Sequence, residues 1–324
     1  MNIVIAINKA YIPYVSVMLT SLFCQHSCPI DIYVLHHELT SEDETVLCRL
    51  SETYEAAFHF LYIPDSLLPP AEVKSATPWG IETYFRLAIL DLLPADAHRA
   101  IYLDADMIVN KPLDALYSCD LQGKKIAACY ELSCHAPFGD YRDALFCELI
   151  PDGFTYFNAG MMLLDLDALR PQYGFDRYMA AAAELNYQIQ FPDQDLLNYC
   201  HHGEVLHLDF RQYNLFARRA YTDFGMRYED VKENVSVIHY TNEKPWRGNC
   251  LHCDIELLWW DYAKKTPFYH DLLVAAAREL MFDTTVRAYS DNIRFEQQQL
   301  MTAIDTYEQI FARCNIPFTH PDDL

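Results

Sequence analysis

The stretch Arg99–Pro112, RAIYLDADMIVNKP, constrains this chain more than any other. Ala100 to Leu103 has the length and the β-branched and aromatic content of a short buried strand, and it delivers Asp104 and Asp106 at its carboxyl end. In extended backbone, residues two apart point the same way, so both carboxylates can face one point outside a sheet. Two hard oxygen donors converging there suit a divalent cation such as Mn2+ or Mg2+. On spacing alone, the same two acids read equally well as the polar end of a strand.

Around that stretch the chain alternates. Apolar spacing predicts strands over residues 2–7, 30–35 and 58–63, with helices over 11–25 and 41–57 between them. Such a β-α-β-α-β order implies an α/β fold, with a mostly parallel sheet covered on both faces and ligands beyond the carboxyl ends of its strands. Asn8 falls at one such end. Residues 82–93 read as a helix that carries Tyr84 and Arg86 and stops at Pro94. A strand follows over 126–130. The long connection 131–153 reads equally as a loop that covers a substrate and as a disordered insertion.

Phe157-Asn158-Ala159-Gly160 reads as a turn into a strand over 161–164, and 166–187 as one helix. Pro192-Asp193-Gln194-Asp195 opens another helix. Short strands are expected at 205–208 and 236–238, the second running into His239. From Asp254 onward only helices are expected, three of them, reaching about residue 316. The expected division is a catalytic domain over 1–250 and a helical extension over 251–324.

Charge narrows the partners. A formal net charge of −22 argues against nucleic acid and against a strongly anionic membrane surface. An anionic substrate would need a local cation to offset that field. No run reaches the roughly 18 apolar residues of a membrane span, and the N-terminal MNIVIAINKAY reads as a first strand rather than a signal peptide. The 11 cysteines are scattered and lack paired C-x-x-C knuckles. Cys200-His201-His202, and Cys250 with His252 and Cys253, are therefore read as thiols and imidazoles of a reducing cytoplasm rather than a zinc site.

Five short motifs occur in order: Arg86 in ETYFRL, DAD after IYL, FNAG at 157–160, DQD at 193–195, and His239-Tyr240 followed by Lys244-Pro245-Trp246. As a series they resemble glycosyltransferase family 8, from Met1 to about Tyr262. The resemblance implies a GT-A fold, a UDP-sugar donor, Mn2+ (with Mg2+ as the alternative ion) and transfer with retention of anomeric configuration. Carried over by position, Asp104, Asp106 and His239 would ligate the metal. Two carboxylates and an imidazole favour Mn2+ over Mg2+. Lys244 would sit on the diphosphate, and Arg86 on donor phosphate or sugar oxygens. Asn8, Tyr11, Ala105 and Asn242 fall at donor-binding positions. Asn158 would contact the sugar or its acceptor, with Gly160 allowing close backbone approach.

Asp193 would hold sugar hydroxyls, and Gln194 would lie near the anomeric carbon. An amide is a poor nucleophile. The expected mechanism is therefore front-face substitution with Gln194 stabilising positive charge, and Asp195 as a covalent nucleophile is the minor alternative. Two positions depart from the family pattern. Asn8 replaces a frequent acid, leaving its carbonyl oxygen to accept a uracil N–H. Asn242 stands where a glycine is usual.

The implied activity is transfer of glucose or galactose to a cell-surface glycan, such as lipopolysaccharide or a lipid-linked oligosaccharide, from the cytoplasm. Membrane contact would be peripheral at most, with the C-terminal helices forming a packed cap or a homodimer contact. Two other readings remain: a catalytically silent UDP-sugar-binding protein, and a metal-dependent phosphatase. The latter places its aspartates on the first strand with Thr or Val two residues on, whereas here they lie on a later strand and residue 108 is Ile.

Overall fold

The protein is described by a computed structural model over residues 1–26, 28–52, 54–71, 73, 80–132, 155–187, 189, 191–241, 243–248, 252–282 and 284–313. The chain forms two compact units, Met1–Pro245 with His252–Tyr269, and Trp246–Leu251 with His270–Leu324.

The first unit is built on a seven-stranded sheet of order β3-β2-β1-β4-β7-β6-β8. Its strands are β1 (Asn2–Ala6), β2 (Ile30–His36), β3 (Ala56–Tyr62), β4 (Arg99–Leu103), β6 (Ile126–Tyr130), β7 (Phe157–Asp165) and β8 (Val205–Leu208). Every pairing is parallel except the two made by β7, which runs antiparallel to both β4 and β6. Alternate residues feed opposite faces, as period-2 geometry requires. Val4, Tyr102 and Met162 pack into one apolar cluster, while Ile3, Ile5, Ile101, Leu103 and Met161 pack into the other. Both faces are therefore covered. The helix Ile12–Gln25 lies in the second cluster through Val15, Met18, Leu19 and Leu22.

A second, three-stranded sheet runs in the order β5-β10-β9, where β5 is Met107–Val109, β9 Leu215–Phe216 and β10 Val237–His239. β10 is antiparallel to β5 and parallel to β9. The corner Asp104-Ala105-Asp106 joins the two sheets, because β4 ends at Leu103 and β5 begins at Met107. The two acids thus converge through a turn between sheets rather than through the alternation of one extended strand.

Local propensity is overridden in three further places. Residues 82–93 form a 3-10 segment, Ile81–Ala88, and one short α turn, Ile89–Leu92, instead of a single helix. The expected helix over 166–187 divides into Leu166–Leu169 and Phe175–Glu184, with Pro171 and Gly174 between them. FNAG is not a turn. It lies within β7, where the pairing with β6 shifts register between Ala128 and Cys129. The connection 131–153 lies almost wholly outside the described residues, as do Asn242 and Cys250.

Among the described residues, a 3-10 turn Asp254–Glu256 is followed by three α-helices, Leu257–Ala263, Tyr269–Phe282 and Thr284–Arg313. In the first unit Trp259 is fully buried, and Trp260 donates its indole N–H to the Pro245 carbonyl at 3.1 Å. In the second unit Gly248 lies against the backbone of the helix Tyr269–Phe282. A Cβ there would stand 1.9 Å from the Ala276 carbonyl oxygen. The long last helix exposes Phe295, Leu300 and Met301. No helix among the described residues is long and apolar enough to cross a membrane.

Candidate active site

Strand pairing assembles the centre. His239 on β10 is in register with Met107 of β5 and with Phe216 of β9, and the Tyr240 N–H extends the ladder to the Asp106 carbonyl at 3.0 Å. From the other side, the Asp104 N–H bonds the Gly160 carbonyl at 2.8 Å. Residues more than 130 positions apart are thereby brought to one corner.

Two cations each hold one oxygen of an acid. Arg86 places Nη2 2.7 Å from Asp104 Oδ1 and Nε 3.0 Å from Asp193 Oδ2, and its Nη1 donates to the Ala159 carbonyl at 2.8 Å. Tyr102 also donates to Asp104 Oδ1, at 2.9 Å. The Lys244 ammonium makes a close ion pair with Asp106 Oδ2 and donates to the Tyr240 carbonyl at 2.8 Å. The other two oxygens turn toward the imidazole. His239 Nε2 lies 3.2 Å from Asp106 Oδ1 and 3.9 Å from Asp104 Oδ2. Asp106 Oδ1 is buried and makes no hydrogen bond at that approach. One oxygen from each acid and one imidazole nitrogen, all within 4.8 Å of each other, form a donor set that fits a divalent cation.

The charges set one another. Burial pushes the Asp106 carboxyl up, but the Lys244 ammonium and His239 pull it down further, leaving it well below the usual carboxylate range. Burial dominates at Asp104 against the pull of Arg86, and its pKa is raised. At Asp193, burial outweighs the neighbouring guanidinium and raises the carboxyl to about 6. Burial alone would lower Lys244, yet Asp106 holds its pKa up.

Two clefts share this corner. One, of 360 Å3, is lined by Asn8, Tyr11, Glu82, Arg86 and Tyr102 together with Asp104, Ala105, Asp106 and Lys244. The other, of 280 Å3, meets it at Asp104, Asp106 and Lys244 and is walled by Glu131, Gln194, Arg218 and His239 among others. A site open on two sides of one acid pair can hold two reactants against each other.

Several expected residues do something different from what their motif implies. Asn158 Nδ2 donates to Glu131 Oε2 at 2.7 Å and to Gln194 Oε1 at 3.2 Å, while its Oδ1 accepts from the Gly160 N–H at 2.9 Å and from Asn214 Nδ2 at 2.8 Å. An amide has two donors and two lone pairs, so Asn158 is saturated by protein and has none left for a sugar. Asp195 is 1% exposed, accepts from the Tyr156 hydroxyl and the Phe191 N–H, and lines neither cleft. It organises the first turn of the helix Pro192–His201 instead of facing a substrate. Asn8 Oδ1 caps the turn Lys9–Tyr11 through the Tyr11 N–H at 3.1 Å, and its Nδ2 points to Glu82 Oε1 at 3.2 Å. Glu82, Glu131 and Asn214 were not singled out from sequence. Glu82 opens the ETYFRL motif, but nothing in that motif sets it apart; Glu131 and Asn214 are isolated polar residues, and only the tertiary fold brings the three to the centre.

The profile of glycosyl transferase family 8 matches residues 2–250. The chain belongs to glycosyl transferase family 8. Glycosyltransferase GlyF of Streptococcus pneumoniae serotype 4 is 26% identical over 81% of this chain, which spans 61% of GlyF. An Escherichia coli lipopolysaccharide 1,2-glucosyltransferase is 22% identical, with 82% of this chain and 75% of the relative covered. Among solved structures, the galactosyltransferase LgtC in complex with donor and acceptor sugar analogs superposes with a TM-score of 0.68 at 24% identity, covering 82% of this chain and 96% of LgtC. The fold of this family 8 chain is accordingly that of the GT-A glycosyltransferases, and the five motifs found in order lie on that fold.

Proposed function

We propose that this glycosyltransferase is a retaining hexosyltransferase that uses Mn2+, or Mg2+ in its place, to move glucose or galactose from a UDP-sugar to a glycan such as lipopolysaccharide or a lipid-linked oligosaccharide. The observation that carries this reading is the meeting of two clefts at Asp104, Asp106 and Lys244, with the unbonded Asp106 Oδ1 beside His239 Nε2. Asp104, Asp106 and His239 would hold the cation. When bound, it supplies Lewis-acid stabilisation of a departing diphosphate.

The remaining work falls to side chains of the chain itself. Lys244 adds positive charge where the leaving oxygen becomes negative. Arg86 fixes Asp104 and Asp193 together, and Asp193, which like Asp195 lines neither cleft, acts on the donor side through the Arg86 guanidinium rather than by touching sugar hydroxyls. Asn8, Tyr11 and Ala105 line the donor cleft. Gln194 Oε1 accepts from the Ala159 N–H at 2.9 Å and from Asn158 Nδ2 at 3.2 Å, which fixes the amide on the cleft wall, and its dipole supports positive charge at the anomeric carbon in a front-face substitution. In that step the leaving phosphate oxygen takes the acceptor hydroxyl's proton. The reaction is placed in the cytoplasm, with at most peripheral membrane contact. Residues 1–250 carry catalysis in this reading, and the extension over 251–324 serves as a cap or homodimer contact.

The test is UDP release from a panel of UDP-sugars, with and without sugar acceptors, in Mn2+ and in EDTA. Release in Mn2+ that EDTA abolishes supports the proposal. Binding without turnover across a broad acceptor panel would instead mark a silent binding protein. Phosphate release from phosphomonoesters would mark a phosphatase.

A further inference from the structure

His239 can bind a cation through Nε2 only if that nitrogen presents a lone pair, and the other ring nitrogen decides this. His239 Nδ1 lies 3.0 Å from Asn214 Oδ1. Which atom of the Asn214 amide faces the ring is fixed two steps away. The Gly160 N–H is backbone and can only donate, so the Asn158 atom 2.9 Å from it must be oxygen. That oxygen lies 2.8 Å from the Asn214 amide, which must therefore offer its nitrogen there. The Asn214 oxygen is left facing His239 Nδ1, and the ring must supply the proton. Glu131 Oε2, accepting from Asn158 Nδ2 at 2.7 Å, holds the far side of the same chain in the same sense.

We propose that Asn214 is a positioning residue that pins the His239 proton to Nδ1 and so presents Nε2 to a divalent cation. The direction is set by the Gly160 N–H and passed on through Asn158. This rests on the metal-binding reading above, but the orientation of the relay stands on the hydrogen bonds alone. Asn214 and His239 are both buried, so water cannot substitute for either partner. Asn214 sits immediately before β9, whose parallel pairing with β10 sets its distance from the ring.

The same logic applied to a second candidate gives the opposite answer. His26, Cys28 and Asp114 also cluster at ligand spacing. There the Leu113 N–H donates to His26 Nε2 at 3.1 Å, which forces the proton onto Nδ1, the atom facing Asp114 at 3.3 Å. Both ring nitrogens are committed to the protein, and that cluster is an internal clasp.

The experiment compares the wild-type chain with Asn214→Leu and Asn214→Asp. It uses 15N NMR of the histidine rings in the metal-free protein and with Mg2+ as a diamagnetic probe, and Mn2+ affinity by calorimetry. Wild type should show a slowly exchanging His239 Nδ1–H in both states, with Nε2 as the nitrogen that shifts on Mg2+ addition. N214L should lose the protected Nδ1–H and bind Mn2+ roughly 10–100-fold more weakly, the range for loss of a partner behind a metal ligand. N214D keeps an acceptor for Nδ1–H and should retain that signal. Should N214L fail to fold, absence of the Nδ1–H in wild type or in N214D would still overturn the proposal, as would N214L binding Mn2+ within twofold of wild type. A wild-type chain that keeps the protected Nδ1–H but binds no divalent cation would refute the metal reading while leaving the relay intact.

Discussion

A Cβ on Gly160 would stand 2.5 Å from His239 Cε1, closer than such atoms approach in proteins. The same atom would lie 2.8 Å from Asp104 Oδ2 and 2.9 Å from Asn158 Oδ1. Gly160 is therefore required by the space it leaves, not by backbone conformation: it lies within β7, and its N–H and carbonyl hold Asn158 and Asp104. In Gly160→Ala the imidazole and a carboxylate must shift together. Mn2+ affinity should fall by roughly 10–100-fold, with activity falling in step and the circular dichroism spectrum unchanged. Calorimetric titration of the variant checks this, and wild-type affinity in Gly160→Ala would contradict the packing argument.

Arg86 is a buried cation between two acids, with its side chain 8% exposed. Arg86→Ala leaves Asp104 and Asp193 facing each other without the guanidinium, and breaking such a buried pair costs about 3–5 kcal/mol. Arg86→Lys should not rescue the site, because a point ammonium cannot reproduce the planar fork spanning both acids and the Ala159 carbonyl. Urea unfolding would read the loss directly. A Lys variant with wild-type stability and turnover would show that charge alone suffices.

Asp193 links this arrangement to pH. Burial raises its carboxyl to about 6 against the pull of Arg86. A pKa raised on folding favours the folded state below the ordinary carboxyl value of about 4, and that contribution is lost as pH rises through about 6. The carboxylate form, which pairs with the Arg86 guanidinium on the wall of the donor cleft, fills over the same interval. Donor KM should accordingly fall as pH rises through about 6, while the Asp193 contribution to stability declines. In Asp193→Asn both trends should flatten, even though its turnover is lower throughout. A pH profile of KM together with thermal melts from pH 4 to 7 tests the pair of effects.

The sheet was legible because apolar runs in β1, β2 and β4 alternate with amphipathic helices, and burial on both faces leaves few other arrangements. β7 was read only in part. Asn158 and Gly160 look like turn formers, yet the bulge beside Cys129 lets them stay in a strand between two neighbours. Asp104, Asp106 and His239 were legible as donor types in motif order, whereas their meeting depends on β5 and β10 pairing in one register. Asn214 carried no signal. A lone asparagine in QYNLF is ordinary until β9 is paired to β10, and its importance arises from what lies opposite it.

The helix Pro192–His201 separates two neighbouring residues that the sequence treats alike. Gln194 reaches the cleft wall, where its amide is held by the Ala159 N–H and by Asn158, and its Nε2 donates to Glu131 at 3.3 Å. Asp195 points the other way, into the Tyr156 hydroxyl and the Phe191 N–H. Gln194→Ala should lower kcat and, by leaving the buried Ala159 N–H without its acceptor, cost about 1–3 kcal/mol of stability. Asp195→Asn should lower stability by about 1.5–3 kcal/mol, the range for a lost hydrogen bond to a charged group. Mass spectrometry of the Gln194→Ala protein incubated with Mn2+ and a UDP-hexose should find no sugar on the peptide containing Asp195. An adduct on that carboxylate would mean that the helix turn opens during turnover and that retention proceeds by double displacement.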